Sequence, residues 1–430
     1  MTIPAGSSLN PTPTTVIRGI VQRHAEEAAF LWSQRDAATD QPHYALRHLA
    51  LLEERVEAQL DGLRVAGEAG VEAAWANLDQ LQGAGELFAV ATLALESRTE
   101  TMIESVLQFA EAVPESRRGL FGALGWAAPE TLRGRVVNWL DAPVPFRRLL
   151  GVVACSLHRA DPGARMVKLL GDDPVVRARA LRLAGELGRI DLRQHIATAS
   201  SDDEACRFWA AWSAGLLADR PSAIPVLQAH AVGGGPFKWR ALDLVVRLMN
   251  REAAIGWLRD LGSDPANARL VVIAAGILGD PVVVPWLIER MRDPELARIA
   301  GESFSTITAR DLSEDGLDGS APEGFTAGPN DDPASENVAI DPDENLQWPD
   351  PAKVQGWWQQ EAGRFAQSVR HLRGLPLTAQ ACSATLRDGY QRQRRAAAYE
   401  RALSSPGLHL WNWREKSRVQ AGWLHARSSS

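Results

Sequence analysis

Few residue patterns in the chain could do chemistry, and each has a plainer reading beside it. Asp341-Pro342-Asp343-Glu344-Asn345 sets carboxylates at alternate positions, as a hard cation such as calcium requires. The pattern then departs from a calcium loop, with Leu346 where glycine is needed and Ala352 where a bidentate glutamate is needed. Helix capping or an ordinary loop is the alternative use of these residues. Gly233-Gly234-Gly235 lacks a following Gly-Lys-Ser/Thr and a strand-turn-helix setting, so it reads as a turn. There is no His-Glu-x-x-His, and the 9 histidines are scattered. The 3 cysteines, Cys155, Cys206 and Cys382, are odd in number and far apart, which fits neither a disulfide framework nor a paired-thiolate zinc site. No catalytic residue, metal site or cofactor is expected.

What recurs is a pairing of charge. DDPVVRARALRLAGELG (172–188) and DDEACRFWAAWSAGLLA (202–218) align at an offset of 30, matching Asp172 with Asp202 and Arg177 with Arg207. The same spacing of five returns in Asp264/Arg269 and Asp293/Arg298. Arg118, Arg148 and Arg240 continue the register without the aspartate, and the seven arginines lie 29 to 33 residues apart. A second anchor runs between them as Ile224-Pro225-Val226-Leu227, Ile255-Gly256-Trp257-Leu258 and Val284-Pro285-Trp286-Leu287.

Two apolar segments per period are one helical hairpin per period. Val176, Ala180, Ala184 and Leu187 share a face of the second helix, as do Cys206, Ala210, Ala214 and Leu217 one period later. Asp173-Pro174, Asp264-Pro265 and Asp293-Pro294 are N-caps followed by proline at the first helical position. Ala180, Ala184, Gly185, Ala210, Ala211, Ala214 and Gly215 are small enough for neighbouring hairpins to approach closely. A single hairpin cannot bury that face, so the hairpins must stack.

Asp-x-x-x-x-Arg-x-x-Ala with a proline-containing helix before it resembles the HEAT repeat and the HEAT-like repeat of phycobilisome lyases, over roughly 83–310. The resemblance implies that Asp172, Arg177, Asp202, Arg207, Asp264, Arg269, Asp293 and Arg298 form a structural ladder. With GAGELFAVATLAL (83–95), LQWPDPAKVQGWW (346–358) and RQRRAAAYERAL (392–403), the whole chain is similar to an uncharacterised proteobacterial HEAT-repeat family often encoded near type VI secretion genes. That resemblance supplies no catalytic residue.

The expected fold is all-α: a HEAT-like α-solenoid of stacked helical hairpins with an irregular acidic insertion before the C-terminal helices. Residues 1–16 are Pro/Ser/Thr-rich and read as a disordered lead-in, and 17–82 as an N-terminal helical cap before the repeats of 83–310. Between Asp311 and Asp350 stand twelve acidic residues and no Lys or Arg. The segment 311–352 is therefore a mobile acidic linker or a long packed loop. Residues 351–430 invert the balance with thirteen Lys/Arg against four acidic residues. We expect 353–430 to close the solenoid with one more hairpin and the acidic stretch to lie against it, anchored by Phe325 and Trp348.

A net charge of -7 leaves no global basic field for a polyanion, which disfavours a nucleic-acid partner. No apolar run approaches the length of a membrane span, and with no secretory leader a cytoplasmic location is expected. The 15 tryptophans are many for this length. Trp139, Trp257 and Trp286 fall on first-helix anchors and Trp209 and Trp212 on a second helix, so core packing accounts for them. Trp348, Trp357, Trp358, Trp411 and Trp413 escape the repeat and are the candidate partner-binding residues. The function expected is a non-catalytic protein-binding scaffold or adaptor. The partner would be a protein such as a secretion-system component or effector, in an accessory or effector-chaperone role in type VI secretion. Two alternatives stay open: a nucleic-acid-binding or DNA-glycosylase-like HEAT enzyme, and a phycobilin-lyase-like small-molecule protein.

Overall fold

The computed structural model describes residues 16–199, 203–328 and 339–426. Residues 1–15 of the expected lead-in, Asp202 of the ladder and 329–338 of the acidic segment lie outside the described residues. Among the described residues, 23 α-helices carry the chain, with one two-stranded hairpin at His371–Leu372 and Leu375–Pro376, so the fold is all-α. No helix among them is long and apolar enough to cross a membrane.

Two units divide the chain. The first is drawn from Met1–Gln34 and Leu52–Ala123, so the first repeat hairpin belongs with helices expected to form the cap. Its helix Ala84–Ser97 buries every residue from Leu87 to Leu95, an all-round apolar surface that only an enclosed helix can carry. Trp32 stacks on Phe88 at 4.7 Å and 12°. A Cβ on Gly119 would come within 1.8 Å of the Ala84 carbonyl oxygen, so bare backbone is what admits this contact.

The second unit is drawn from Arg35–Leu51 and Leu124–Ser430. Its body is a row of second helices, Pro145–Leu157, Pro174–Glu186, Glu204–Leu216, Lys238–Leu248, Ala268–Leu278 and Ala297–Thr308, each packed on the next. Small residues set the spacing, as the sequence suggested. A Cβ on Gly185 would meet Ser213 Cα at 2.9 Å, and one on Gly276 would meet Ser303 Cα at 3.0 Å. The hydroxyls then bond across: Ser213 Oγ donates to the Leu181 carbonyl at 2.6 Å and Ser303 Oγ to the Val272 carbonyl at 3.0 Å. One Gly-Ser contact is thus used twice in the row.

Each helix ends in carbonyls that its own N–H groups do not reach. The C-terminal part of the chain supplies donors to them. Arg373 N and Gly374 N donate to Thr306 and Ile307, both at 2.8 Å; His371 N donates to Gly279 at 2.7 Å and Arg370 Nε to Leu278 at 2.8 Å. Farther on, Glu400 meets Arg247 at 3.2 Å, Leu410 N donates to Glu186 at 2.8 Å and Asn412 Nδ2 to Leu157 at 2.9 Å. From Arg373 to Asn412 the chain therefore returns along the carboxyl ends of the row, in reverse order. Arginine near a helix carboxyl end is favoured by the helix dipole as well as by hydrogen bonding, which accounts for part of the tail's basic composition. The hairpin of Ala379–Asp388 and Gln391–Ser404 packs beside the row, with Gln391–Ser404 against Lys238–Leu248, and does not extend the row as a further repeat would.

The described parts of the acidic segment are packed. Leu312 and Leu317 join Phe304, Val354, Trp358 and Phe365 in one core cluster. Gly319 N donates to Trp348 O and Asp350 N to Leu317 O, both at 2.8 Å, which closes the two ends of the segment on each other. Phe325 and Trp348 meet edge to face at 5.0 Å. Its aspartates turn chiefly toward the repeats rather than the basic tail, where Asp311 accepts from Tyr390 Oη at 3.4 Å.

Candidate functional site

The register arginines stand in the first or second turn of the row helices, and their partners differ along the row. Arg148 grips Asp172 with Nε and Nη2, both at 2.6 Å, joining one repeat to the next. Arg177 donates to the Asp172 backbone carbonyl at 2.8 Å. Asp264 and Asp293 serve as caps, accepting from Ala266 N at 3.0 Å and Glu295 N at 3.1 Å. Arg269 and Arg298 turn to the acidic segment instead. Asp343 receives Arg269 at 2.5 and 2.7 Å, and Asp341 receives Arg298 at 2.6 Å. The alternate carboxylates that resembled the start of a calcium loop are thus arginine ligands. Arg298 also lies over Trp348 at 4.8 Å and Phe325 at 5.6 Å. Arg207 lines a cavity of about 250 Å³ with Arg193, Ala210 and Ala214.

Arg240 differs from the others. It is solvent-exposed, and among the described residues no carboxylate stands within ion-pair distance of it. Its guanidinium lies 5.4 Å from the ring centre of Trp209, and that of Arg182 lies 4.8 Å from the same ring. Crowding by protein lowers the Arg240 pKa; Arg182 and Arg414 add to this, while Tyr399 and Asp40 oppose it. The glycine insertion makes this arrangement. After Gly233-Gly234-Gly235 the chain places Phe237 flat on Phe208 at 4.2 Å, and helix Lys238–Leu248 starts from that stack. Ala241, Leu242, Leu244 and Val245 face the core, while Trp239 stays 48% exposed with Lys238 Nζ 5.3 Å from its ring.

Around Arg240 the charges are organised. Arg395 meets Asp243 at 3.0 Å, and Arg414 meets Asp40 at 2.9 Å. Arg182 holds Glu186 at 2.8 Å, with Arg159 and Arg179 at 3.4 and 3.8 Å from the same carboxylate. Burial would raise the Glu186 carboxyl, but the three arginines overcome it and hold the group down at about 2. The result is a cluster of four guanidinia, Arg182, Arg240, Arg395 and Arg414, around the buried Trp209, Trp212 and Tyr399. Arg182, Arg395 and Arg414 are paired with carboxylates, which leaves Arg240 as the guanidinium of the cluster open to an outside anion, with the exposed Trp239 next to it in sequence. Among the described residues, no three His, Cys, Asp or Glu side chains are grouped so as to hold a metal ion.

The tryptophans singled out by sequence are engaged within the fold. Trp358 is buried at 8% exposure, and Trp357 packs on Phe304 at 5.5 Å. Trp348 sits under Arg298, Trp411 Nε1 donates to Gln420 at 3.1 Å, and Trp413 lies 5.9 Å from Tyr399. The indoles most open to solvent are Trp239 and Trp423. Trp239 had a signal in the sequence: it falls off the apolar spacing of its helix, immediately after a glycine insertion in the repeat. No protein-family model, curated protein or solved structure matches the chain.

Proposed function

We propose that the protein is a non-catalytic scaffold that binds a protein partner, gripping an acidic segment of it at Arg240, which lies over the buried Trp209, with Trp239 as the adjoining apolar anchor. One observation carries this reading. Arg269 and Arg298 each hold an aspartate of the chain's own Asp341-Pro342-Asp343, while Arg240, next in the same register, is exposed and among the described residues has no carboxylate within ion-pair distance. Tryptophan and arginine are the residues that most often dominate binding energy between proteins. An accessory or effector-chaperone role in type VI secretion, with a secretion-system component or effector as partner, is the form of this function that the family resemblance adds.

The test is fluorescence anisotropy with a labelled peptide of the chain's own 339–348 sequence, an Asp→Asn version of it, and a single-stranded oligonucleotide of equal charge. The acidic peptide should bind, weaken with salt, and lose about tenfold or more in affinity on Arg240→Glu, the scale of one charge-assisted contact. Tighter binding of the oligonucleotide, or peptide binding indifferent to Arg240→Glu, would overturn the reading.

A further inference from the structure

A second cavity, of about 500 Å³, opens elsewhere in the same unit, within the size range of small-molecule sites. Its wall is charged, and most of those charges cancel in contact. Arg392 meets Glu302 and Arg298 meets Asp341, both at 2.6 Å, while Arg310 meets Asp315 at 3.1 Å. Five lining groups do not: among the described residues Arg47, Arg373, Asp311, Glu314 and Asp388 have no opposite charge within ion-pair distance, and of these only the Asp311 carboxylate is held by hydrogen bonds, accepting from Ser313 N, Glu314 N, Gln347 Nε2 and Tyr390 Oη. They lie in two groups, each with Tyr390 as a neighbour. Tyr390 has Asp311, Glu314 and Arg47 as its charged neighbours, and Arg373 has Asp388 and Tyr390 as its own.

The backbone holds Arg373 there against its preference. Arg373 and Gly374 form the two-residue turn of the small hairpin with φ of 50° and 75°, a conformation that favours asparagine and glycine. The turn's N–H groups are fixed on Thr306 and Ile307. Ala309, also on the wall, is left-handed as well, at φ 65°. Strained non-glycine backbone of this kind persists where the surrounding structure over-determines it, and it gathers at binding sites. Burial lowers the pKa of Arg373, with Asp388 and Tyr390 opposing, so this half-buried guanidinium is incompletely compensated. Apart from the hydrogen-bonded Asp311, two cations and two anions of this one cavity are unpaired, which calls for a ligand that carries both charges.

We propose that this cavity binds a small zwitterion, a free α-amino acid or short peptide. Its carboxylate faces Arg47 and Arg373, its ammonium faces Glu314 and Asp388, and the Tyr390 hydroxyl bonds between them.

The test is isothermal calorimetry on the full chain with the twenty free amino acids and Ala-Ala, against propionate and propylamine as single-charge controls. At least one amino acid or the dipeptide should bind with Kd below about 1 mM, and both controls should be at least about tenfold weaker. Arg373→Asn removes the guanidinium yet suits the left-handed turn, so it should weaken binding about tenfold while leaving thermal stability unchanged or raised. Asp388→Asn, on the ammonium side, should weaken it similarly. Absence of binding at about 10 mM ligand, controls that bind as well as the zwitterions, or full affinity in Arg373→Asn would each overturn the proposal.

Discussion

Asp343 holds Arg269 from 74 positions further along the chain, its two carboxylate oxygens facing the guanidinium at 2.5 and 2.7 Å. With Asp341 on Arg298, it pins the acidic segment across two successive repeats. Asp343 is buried, at 3% exposure, and Arg298 at 7%. Removing one partner of a buried ion pair strands the other charge in protein.

Asp341→Asn and Asp343→Asn should each destabilise the second unit by about 3 kcal/mol, and the double substitution should release residues 339–348 to rapid amide exchange. Urea melts with hydrogen-exchange mass spectrometry check this. An unchanged exchange pattern in the double variant would show that hydrophobic packing alone seats the segment.

Glu186 gives a test in acid. Its carboxyl is held at about 2, below the ordinary value of 4.5. The unfolded chain binds the proton more readily, so the stabilisation is present above about pH 4.5 and is lost as pH falls toward 2. Glu186→Gln leaves Arg159, Arg179 and Arg182 to repel one another, and should cost about 3 kcal/mol at pH 7 but little at pH 2. Denaturant titrations at the two pH values measure the difference.

Glu415 has the opposite sign. Burial raises its carboxyl from 4.5 to about 7, with Arg159, Lys416 and Arg35 only partly offsetting the cost. Here the folded state binds the proton more readily, so stability falls as pH rises from about 4.5 to 7. Glu415→Gln should therefore be neutral near pH 4.5 and stabilising above pH 7, by on the order of 2 kcal/mol. A melting-temperature series from pH 4 to 9 on both proteins would show the curves parting, and parallel curves would exclude this role for Glu415.

Gly188, at φ 64°, faces Gly407, where a Cβ would come 2.6 Å from the Gly407 carbonyl carbon. Gly188→Ala combines a left-handed alanine with a backbone clash, and should destabilise by about 2 kcal/mol while detaching the chain near Leu410 from Glu186. Limited proteolysis should find new cleavage around Pro406 in the variant and none in the parent protein.

The all-α repeat was legible in the sequence because its signals are local. Asp173 caps Val175, Pro174 opens its helix, and Gly185 admits Ser213, all within a residue or two of where the spacing places them. The partners of the arginines were not legible. Arg148 reaches Asp172 in the following repeat, and Arg269 and Arg298 reach the acidic segment, because hairpin stacking and loop return set those distances while sequence spacing does not. The same holds for tryptophan. Trp348 and Trp411 fall outside the repeat pattern, which made them look free, yet Arg298 and Gln420 occupy them. Trp239 and Arg240 lie inside the pattern, and a three-glycine insertion turns them out to solvent.

The return of residues 373–412 along the helix ends bears on the order in which the chain acquires its structure. The carbonyls of Leu157 and Glu186 belong to helices translated more than two hundred residues before Asn412 and Leu410, which bond them. While the ribosome is still reading that interval, the earlier hairpins have their carboxyl ends hydrated. Emergence of the tail then acts as a latch that closes from the newest repeat back to the oldest, so cooperative unfolding of the finished unit should begin where the latch closed last, near Asn412.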